Sequence, residues 1–215
     1  MILVGVVKGY IDCKNVIVPQ LVDMYRMAIL SDPDTPPYQI TVVENGKELR
    51  IKGGIKYGLL EDVKKALNLA PSITTINLES GGGRIGVAID LYNLISPRGL
   101  NTVTNDTCSS ACTIIFAAGR KRWTGVGGRL GFHSGSYVGL SDKKANEGTQ
   151  SIFLKISREK GVALTFLKKG NKISSKKMWF PTREELHVNN FITSKVSSAI
   201  SSLKILERTA MPELK

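Results

Sequence analysis

The sequence is poor in several residues on which particular functions depend. Among 215 residues there are three cysteines and two histidines, and aromatic residues make up 7%. Cys13, Cys108 and Cys112 are odd in number and too few for a disulfide framework, so they do not establish an oxidising compartment. Two histidines and three cysteines without ligand spacing supply no metal cluster, so a cofactor-free mechanism is expected. There is no internal repeat, proline-rich tract or long block of like charge, which sets aside fibrous and fully disordered chains. Long apolar runs are missing too. The most apolar start, Met1 to Val7, is broken by Lys8, well short of the ~18 residues of a spanning helix. It also lacks the basic region and small-residue cleavage site of a signal peptide.

Acidic residues are scarce relative to basic ones. Thirty Lys and Arg stand against 18 Asp and Glu, a net charge of +12, which favours an acidic partner or an anionic membrane surface. Much of the excess lies between Lys143 and Arg183, a stretch that reads as mostly helical. Nucleic acid is disfavoured, because basic and aromatic residues are not interleaved and no zinc spacing is present.

What is present reads as one α/β domain with small attachments. The breaker cluster Ser31-Asp32-Pro33-Asp34-Thr35-Pro36-Pro37 sets residues 1–37 apart as an N-terminal extension and linker. From Tyr38 a hairpin is expected around Glu44-Asn45-Gly46, with Ile40 and Val42 before the turn and Leu49 and Ile51 after it. Leu59, Leu60, Val63, Ala66 and Leu67 recur at helical spacing, and a strand follows from Ile73 to Leu78. After Ser80-Gly81-Gly82-Gly83, helical spacing returns from Ile85 to Ile95. A short strand is expected at Leu100 to Thr104, a buried helix at Ser109 to Ala118, and a strand ending at Gly131-Phe132-His133. This alternation predicts a largely parallel sheet covered by helices, with ligands bound beyond the carboxyl ends of the strands. Val196, Ile200, Leu203 and Leu206 suit a terminal helix, either docking or oligomeric, within a tail over residues 195–215.

Three features could carry chemistry. A serine nucleophile needs a base, and the candidates are His133 and His187. A glycine turn opening a helix offers backbone N–H groups to an oxyanion, as Ser80-Gly81-Gly82-Gly83-Arg84 would. By itself this turn reads as a plain connection. Serine at a helix's first turn, in Cys108-Ser109-Ser110-Ala111-Cys112, is favoured by the dipole or serves as an N-cap. Cys108 and Cys112 are four apart, close enough for a bridge if the first lies at the turn. Buried free thiols are nevertheless the expectation for a reducing setting.

In order and spacing, Ile76 to Ile85, Cys108 to Cys112 and Leu130 to His133 resemble the Clp protease/crotonase superfamily. The similarity extends over residues 38–194, and its nearest form is the Clp-protease-like branch described as predicted periplasmic or membrane-associated. The resemblance implies an α/β fold of the Clp protease/crotonase ββα superhelix type with a short N-terminal extension and a C-terminal helix. It implies Ser110 as nucleophile, His133 as general base, and Gly83 and Ala111 as the oxyanion-hole amides, with Gly82 supporting the turn. Peptide or unfolded-protein substrates and a homo-oligomer would follow. Localisation stays open between that branch's setting and an N-terminus with neither signal nor anchor.

Two positions depart from the family pattern. Gly81 stands where the loop usually carries proline. The family's acid would fall just before Trp179-Phe180-Pro181, where this chain has Lys177-Met178. The third role is therefore absent, or filled by a carbonyl, a water or a distant carboxylate such as Asp142. Lys177 raises a Ser–Lys variant, although Lys172 and Lys176 beside it favour a solvated surface lysine. Two other functions stay in play: an acyl-CoA-handling crotonase relative and a catalytically inert assembly module.

Overall fold

The computed structural model describes residues 13–18, 21–22, 25, 35–44, 46–135 and 142–194. The helix expected near the C-terminus falls, beyond residue 194, outside the described residues. The expected hairpin forms as β1 (Tyr38–Val43) and β2 (Glu48–Gly53), antiparallel, with Ile40 opposite Ile51 and Val42 opposite Leu49. On β2 the alternation buries Leu49 and Ile51 while Arg50 and Lys52 face out. Helix α1 (Leu59–Leu69) then packs Leu59 and Val63 into the core, and Glu61 and Asp62 in its first turn complement the helix dipole.

The chain returns as β3 (Thr75–Glu79), helix α2 (Ile85–Ile95) and β4 (Asn101–Thr104). Strands β2, β3 and β4 are parallel to one another, and β6 (Arg122–Thr124) extends the sheet, giving the order β1-β2-β3-β4-β6. This is the largely parallel sheet the alternation predicts. Helix α2 buries Val87, Ala88, Leu91, Tyr92 and Ile95, and α3 (Ala111–Ala117) has all seven residues buried. A helix apolar on every face belongs in a core, and α3 sits there.

The helix expected at Ser109 to Ala118 begins two residues later than its pattern suggests. Thr107–Ser109 instead form β5, which pairs in parallel with β7 (Arg129–Gly131) as a second, two-stranded sheet. Three small residues carry no alternation, so pairing with Arg129, Leu130 and Gly131 makes them a strand.

Beyond β7 come α4 (Asp142–Lys160), α5 (Leu164–Gly170) and α6 (Arg183–Val188). A reciprocal capping box opens α6: Thr182 Oγ1 accepts from the Glu185 amide at 3.1 Å, and the Thr182 amide donates to Glu185 Oε2 at 2.9 Å. Phe132, Phe166, Trp179 and Phe191 form one aromatic cluster with centroids 5.0 to 5.8 Å apart, which fastens this C-terminal part to the end of β7. Arg122 supplies the polar counterpart. Read as part of a basic surface run it would be solvated, yet it is 2% exposed. Its guanidinium donates to the carbonyls of Gly119, Phe191 and Asn190 at 2.9, 2.9 and 2.7 Å. Burial pulls its pKa down to about 10, so the charge persists at neutral pH among these carbonyl acceptors.

Candidate active site

Ser110 sits between the end of β5 and the first residue of α3, with φ 56° and ψ −127°. Positive φ is disfavoured for a residue with a Cβ and costs of order 1–3 kcal/mol unless its surroundings impose it. Here they do. The Ser110 amide donates to the Gly131 carbonyl at 2.9 Å, and the Ser109 amide donates to the Ser80 carbonyl at 2.9 Å. The Ser110 carbonyl accepts from Thr113 Oγ1 at 2.7 Å. A sharp strand-to-helix turn of this kind displays a serine side chain at the edge of a sheet.

Cys108 and Cys112 are joined in a disulfide that brackets this turn, and both half-cystines are fully buried. The expectation of free thiols is overturned. Because Cys108 lies in β5 and Cys112 in the first turn of α3, the abrupt change of direction at Ser110 brings them together, where a continuous helix from Ser109 would not.

The glycine loop lies against the turn. Gly82 has φ 113°, and a Cβ there would stand 2.7 Å from Ser110 Cβ. Gly83 has φ 144°, and a Cβ would overlap the Ile55 carbonyl. The loop is pinned to Ile55, whose amide donates to the Gly82 carbonyl at 2.9 Å and whose carbonyl accepts from the Arg84 amide at 2.7 Å. These bonds use the groups on either side of the Gly83 amide. The Ala111 amide opens α3, where N–H groups have no partner within the helix.

Ser110, Ala111 and His133 line one cavity, together with Thr149 and Asn171. Ile85, Ile114, Phe153, Ile156 and Leu167 give its wall an apolar character. Gly82 and Gly83 line a neighbouring groove instead, and Gly82 is the point where the loop meets Ser110. His187, the other histidine, belongs to α6 and does not line the cavity.

His133 follows Phe132, which exchanges two backbone hydrogen bonds with Trp179 at 2.8 and 2.9 Å. This antiparallel bridge sets Met178 opposite His133. No acid therefore stands there. Lys177 is exposed and does not line the cavity, which matches the surface reading over the Ser–Lys variant. The Asp142 alternative falls outside the described side chains. Among the described residues there is no group of three or more His, Cys, Asp or Glu able to hold a metal, and no helix is long and apolar enough to cross a membrane.

No family model matches the chain, and no curated protein matches it. Among solved structures it superposes on ClpP1 from Listeria monocytogenes with a TM-score of 0.59 at 20% identity, covering 71% of this chain and 92% of that one. A point mutant of the same Listeria ClpP1 superposes with the same TM-score, identity and coverage. The chain has a Clp-protease-like fold. At this identity the likeness concerns architecture, and the site has to be argued from its own residues.

Thr149 and Asn171 escaped the sequence reading. One lies in a helix judged by its lysines and the other in a lysine-rich stretch that resembles solvated surface. A polar residue at the end of α5 announces itself only once the aromatic cluster has folded α5 against Phe132.

Proposed function

We propose that residues 38–194 form the catalytic domain of a serine hydrolase that cleaves peptide bonds through Ser110 and His133. The observation that carries this reading is the forced positive φ of Ser110 on the wall of a cavity it shares with His133. A turn that costs conformational energy, held by converging backbone bonds, is hard to explain as a simple helix cap. The glycine loop pressed on the same residue supports it.

In this reading His133 takes the Ser110 proton as Ser110 Oγ attacks the scissile carbonyl, and then passes that proton to the leaving amine. The amides of Gly83 and Ala111 hold the oxyanion, and Gly82 keeps the loop close enough for them to do so. Water, deprotonated by His133, then releases the acyl group. The apolar cavity wall favours an apolar side chain next to the scissile bond, where its burial drives binding. No prosthetic group or metal is needed for these steps.

The oligomer implied by the family resemblance and the anionic membrane surface suggested by the charge excess belong to the same proposal. Exposed Leu69, Val126 and Val188 are apolar groups that subunit contacts would cover, and the net charge of +12 would serve an anionic surface.

The test is intact-mass labelling with a fluorophosphonate. One adduct is expected on the wild type, lost in Ser110→Ala and reduced about a thousandfold or more in His133→Ala. A folded wild type that takes no label, or equal labelling of Ser110→Ala, overturns the assignment.

A further inference from the structure

We infer that the face running from His133 across Met178 and Phe180 is a docking track for acidic peptide segments, so that the chains drawn to Ser110 carry carboxylates beside the apolar residue that enters the cavity. The inference deepens the serine hydrolase reading and rests on it for the role of Ser110.

One strand end builds the track. Side chains alternate along β7, so Leu130 and Phe132 are buried while Arg129 is exposed on the other face, which it shares with Gly131. The bridge between Phe132 and Trp179 lays residues 178–180 alongside. Trp179 turns inward, its ring 5.8 Å from that of Phe132, and Met178 and Phe180 are left 37% and 41% exposed. Both lie over Gly131, where a Cβ would stand 2.9 Å from Met178 Sδ and 2.8 Å from Phe180 Cε1. The Gly131 carbonyl in turn accepts from the Ser110 amide at 2.9 Å. An exposed apolar strip therefore begins opposite His133 and lies one hydrogen bond from the turn that displays Ser110.

The rim of the strip is cationic. The Arg129 guanidinium lies 5.0 Å from the Phe180 ring centroid, and Lys172, Lys176 and Lys177 are exposed on the segment leading into the strip. Lys52, Lys64, Lys155 and Lys169 have carboxylate partners at 2.6 to 3.9 Å, whereas these four cations have none among the described residues. From Gly161 to Thr182 the chain has no Asp or Glu. The acids that follow, Glu184 and Glu185, belong to the first turn of α6. Asp106, whose carbonyl accepts from the Arg129 amide at 2.6 Å, has its carboxylate engaged by Thr107 Oγ1 at 3.2 Å. The cavity itself is lined by no Asp, Glu, Lys or Arg, so it does not sort substrates by such charges. An apolar strip edged by cations and continuous with that cavity fits an extended chain: its carboxylates meet the rim while an apolar side chain enters the cavity. A lipid surface would satisfy the rim and leave the cavity empty.

Binding to Ser110→Ala, read by fluorescence anisotropy, tests this without turnover. The probes are two fluorescein-labelled peptides of equal length with one central Leu, flanked at the same positions by Glu in one and by Lys in the other. The Glu peptide should bind about tenfold or more tighter. That preference should shrink as ionic strength rises from ~0.01 M to ~1 M. Lys176→Glu with Lys177→Glu should cut affinity for the Glu peptide about tenfold. Phe180→Gln should weaken both peptides equally. The control, Lys64→Glu with Lys65→Glu on α1, makes the same change in net charge away from the strip and should lower affinity about twofold or less.

Equal affinity for the two peptides overturns the inference, as does an equal loss in the α1 control, which would assign the preference to net charge alone. If Phe180→Gln does not fold, the two lysine pairs decide. Phosphatidylglycerol vesicles are the third probe: binding that is lost in the Lys176→Glu, Lys177→Glu variant, with no discrimination between the peptides, gives the face to lipid and overturns the inference too. A folded wild type that resists the fluorophosphonate sinks the hydrolase reading, whereas the anisotropy still decides whether acidic chains dock on this face.

Discussion

On the Ser110 side of the cavity, three backbone carbonyl contacts, a disulfide and a glycine loop converge on one residue. On the His133 side, backbone hydrogen bonds at Phe132 and Ser134 hold the strand end, and the residue facing the histidine is a methionine. The contrast separates two tasks. Displaying a nucleophile is a backbone problem, solved by bonds that cannot rearrange independently. Orienting a base is a side-chain problem, and here neutral groups are available for it. On the proposed function, a Ser–His site built this way should be precise in where the serine sits and modest in how strongly the imidazolium is stabilised.

The largest effect should come from breaking the Ser110 side at the loop. Gly82→Ala places a methyl group against Ser110 Cβ in a left-handed conformation, costing about 1–2 kcal/mol for the backbone alone. On the proposed function, fluorophosphonate labelling should fall about a hundredfold or more, because the loop would have to withdraw from the oxyanion. Gly83→Ala, which meets the Ile55 carbonyl, should lower stability by about 2–4 kcal/mol in urea denaturation. Gly81 offers the control. Nothing lies within 4 Å of a Cβ there, so Gly81→Ala should change stability by about 0.5 kcal/mol or less. Equal effects at all three glycines would show that the loop is a plain connection.

Next in size is the disulfide. A bridge between residues four apart removes little chain entropy, so its contribution is local. Cys108→Ala with Cys112→Ala avoids burying new hydroxyls. The double variant should keep its circular dichroism spectrum and label about tenfold more slowly. Unchanged labelling would mean that the backbone bonds alone hold the turn. Formation of the bridge calls for an oxidising environment, which ties the chemistry of this turn to the compartment in which the protein matures.

The opposite manipulation sharpens the His133 side. Met178→Asp installs a carboxylate opposite the histidine at a position 37% exposed, where a charge is tolerated. Labelling should rise about tenfold near neutral pH as the imidazolium gains a partner. A rate at or below that of the wild type would show that the bridge does not aim residue 178 at His133.

The two sides also differed in how far the sequence disclosed them. Periodicity located α1, α2 and the hairpin closely, since each has one apolar face against one core. It misplaced the start of α3, because Thr107, Cys108 and Ser109 are small and their strand character comes from a partner twenty-two residues on. That same error concealed the disulfide, which depends on a sharp corner at Ser110. The family resemblance singled out Ser110, Ala111 and His133, and all three line one cavity. Asn171 and Arg122 were not, since each lies in a basic run and only tertiary packing distinguishes a buried or cavity-lining polar group from a solvated one. Local pattern reports local periodicity, and these two residues owe their roles to contacts across the C-terminal part of the domain.

Tyr92 lies on neither side, and it calibrates the comparison with the smallest expected effect. It is fully buried in α2, and its hydroxyl donates to Glu159 Oε2 at 2.9 Å. Burial first, then that hydrogen bond and the carboxylate's charge, push its pKa well above the ordinary phenol value of 10.0. A raised folded pKa contributes stability that is whole below the unfolded value and disappears as pH climbs toward the folded one. At neutral pH, Tyr92→Phe should therefore cost about 0.5–1.5 kcal/mol. Above pH 10 the unfolded wild type gains by ionising its tyrosine, which the variant cannot do. The gap between the two should narrow there and then reverse, in urea denaturation at pH 7 and pH 11. Labelling at Ser110 should stay at the wild-type rate throughout the neutral range. A constant gap would mean that the phenol is not held protonated by its surroundings, and a labelling change would mean that α2 transmits packing to the glycine loop at its N-terminus.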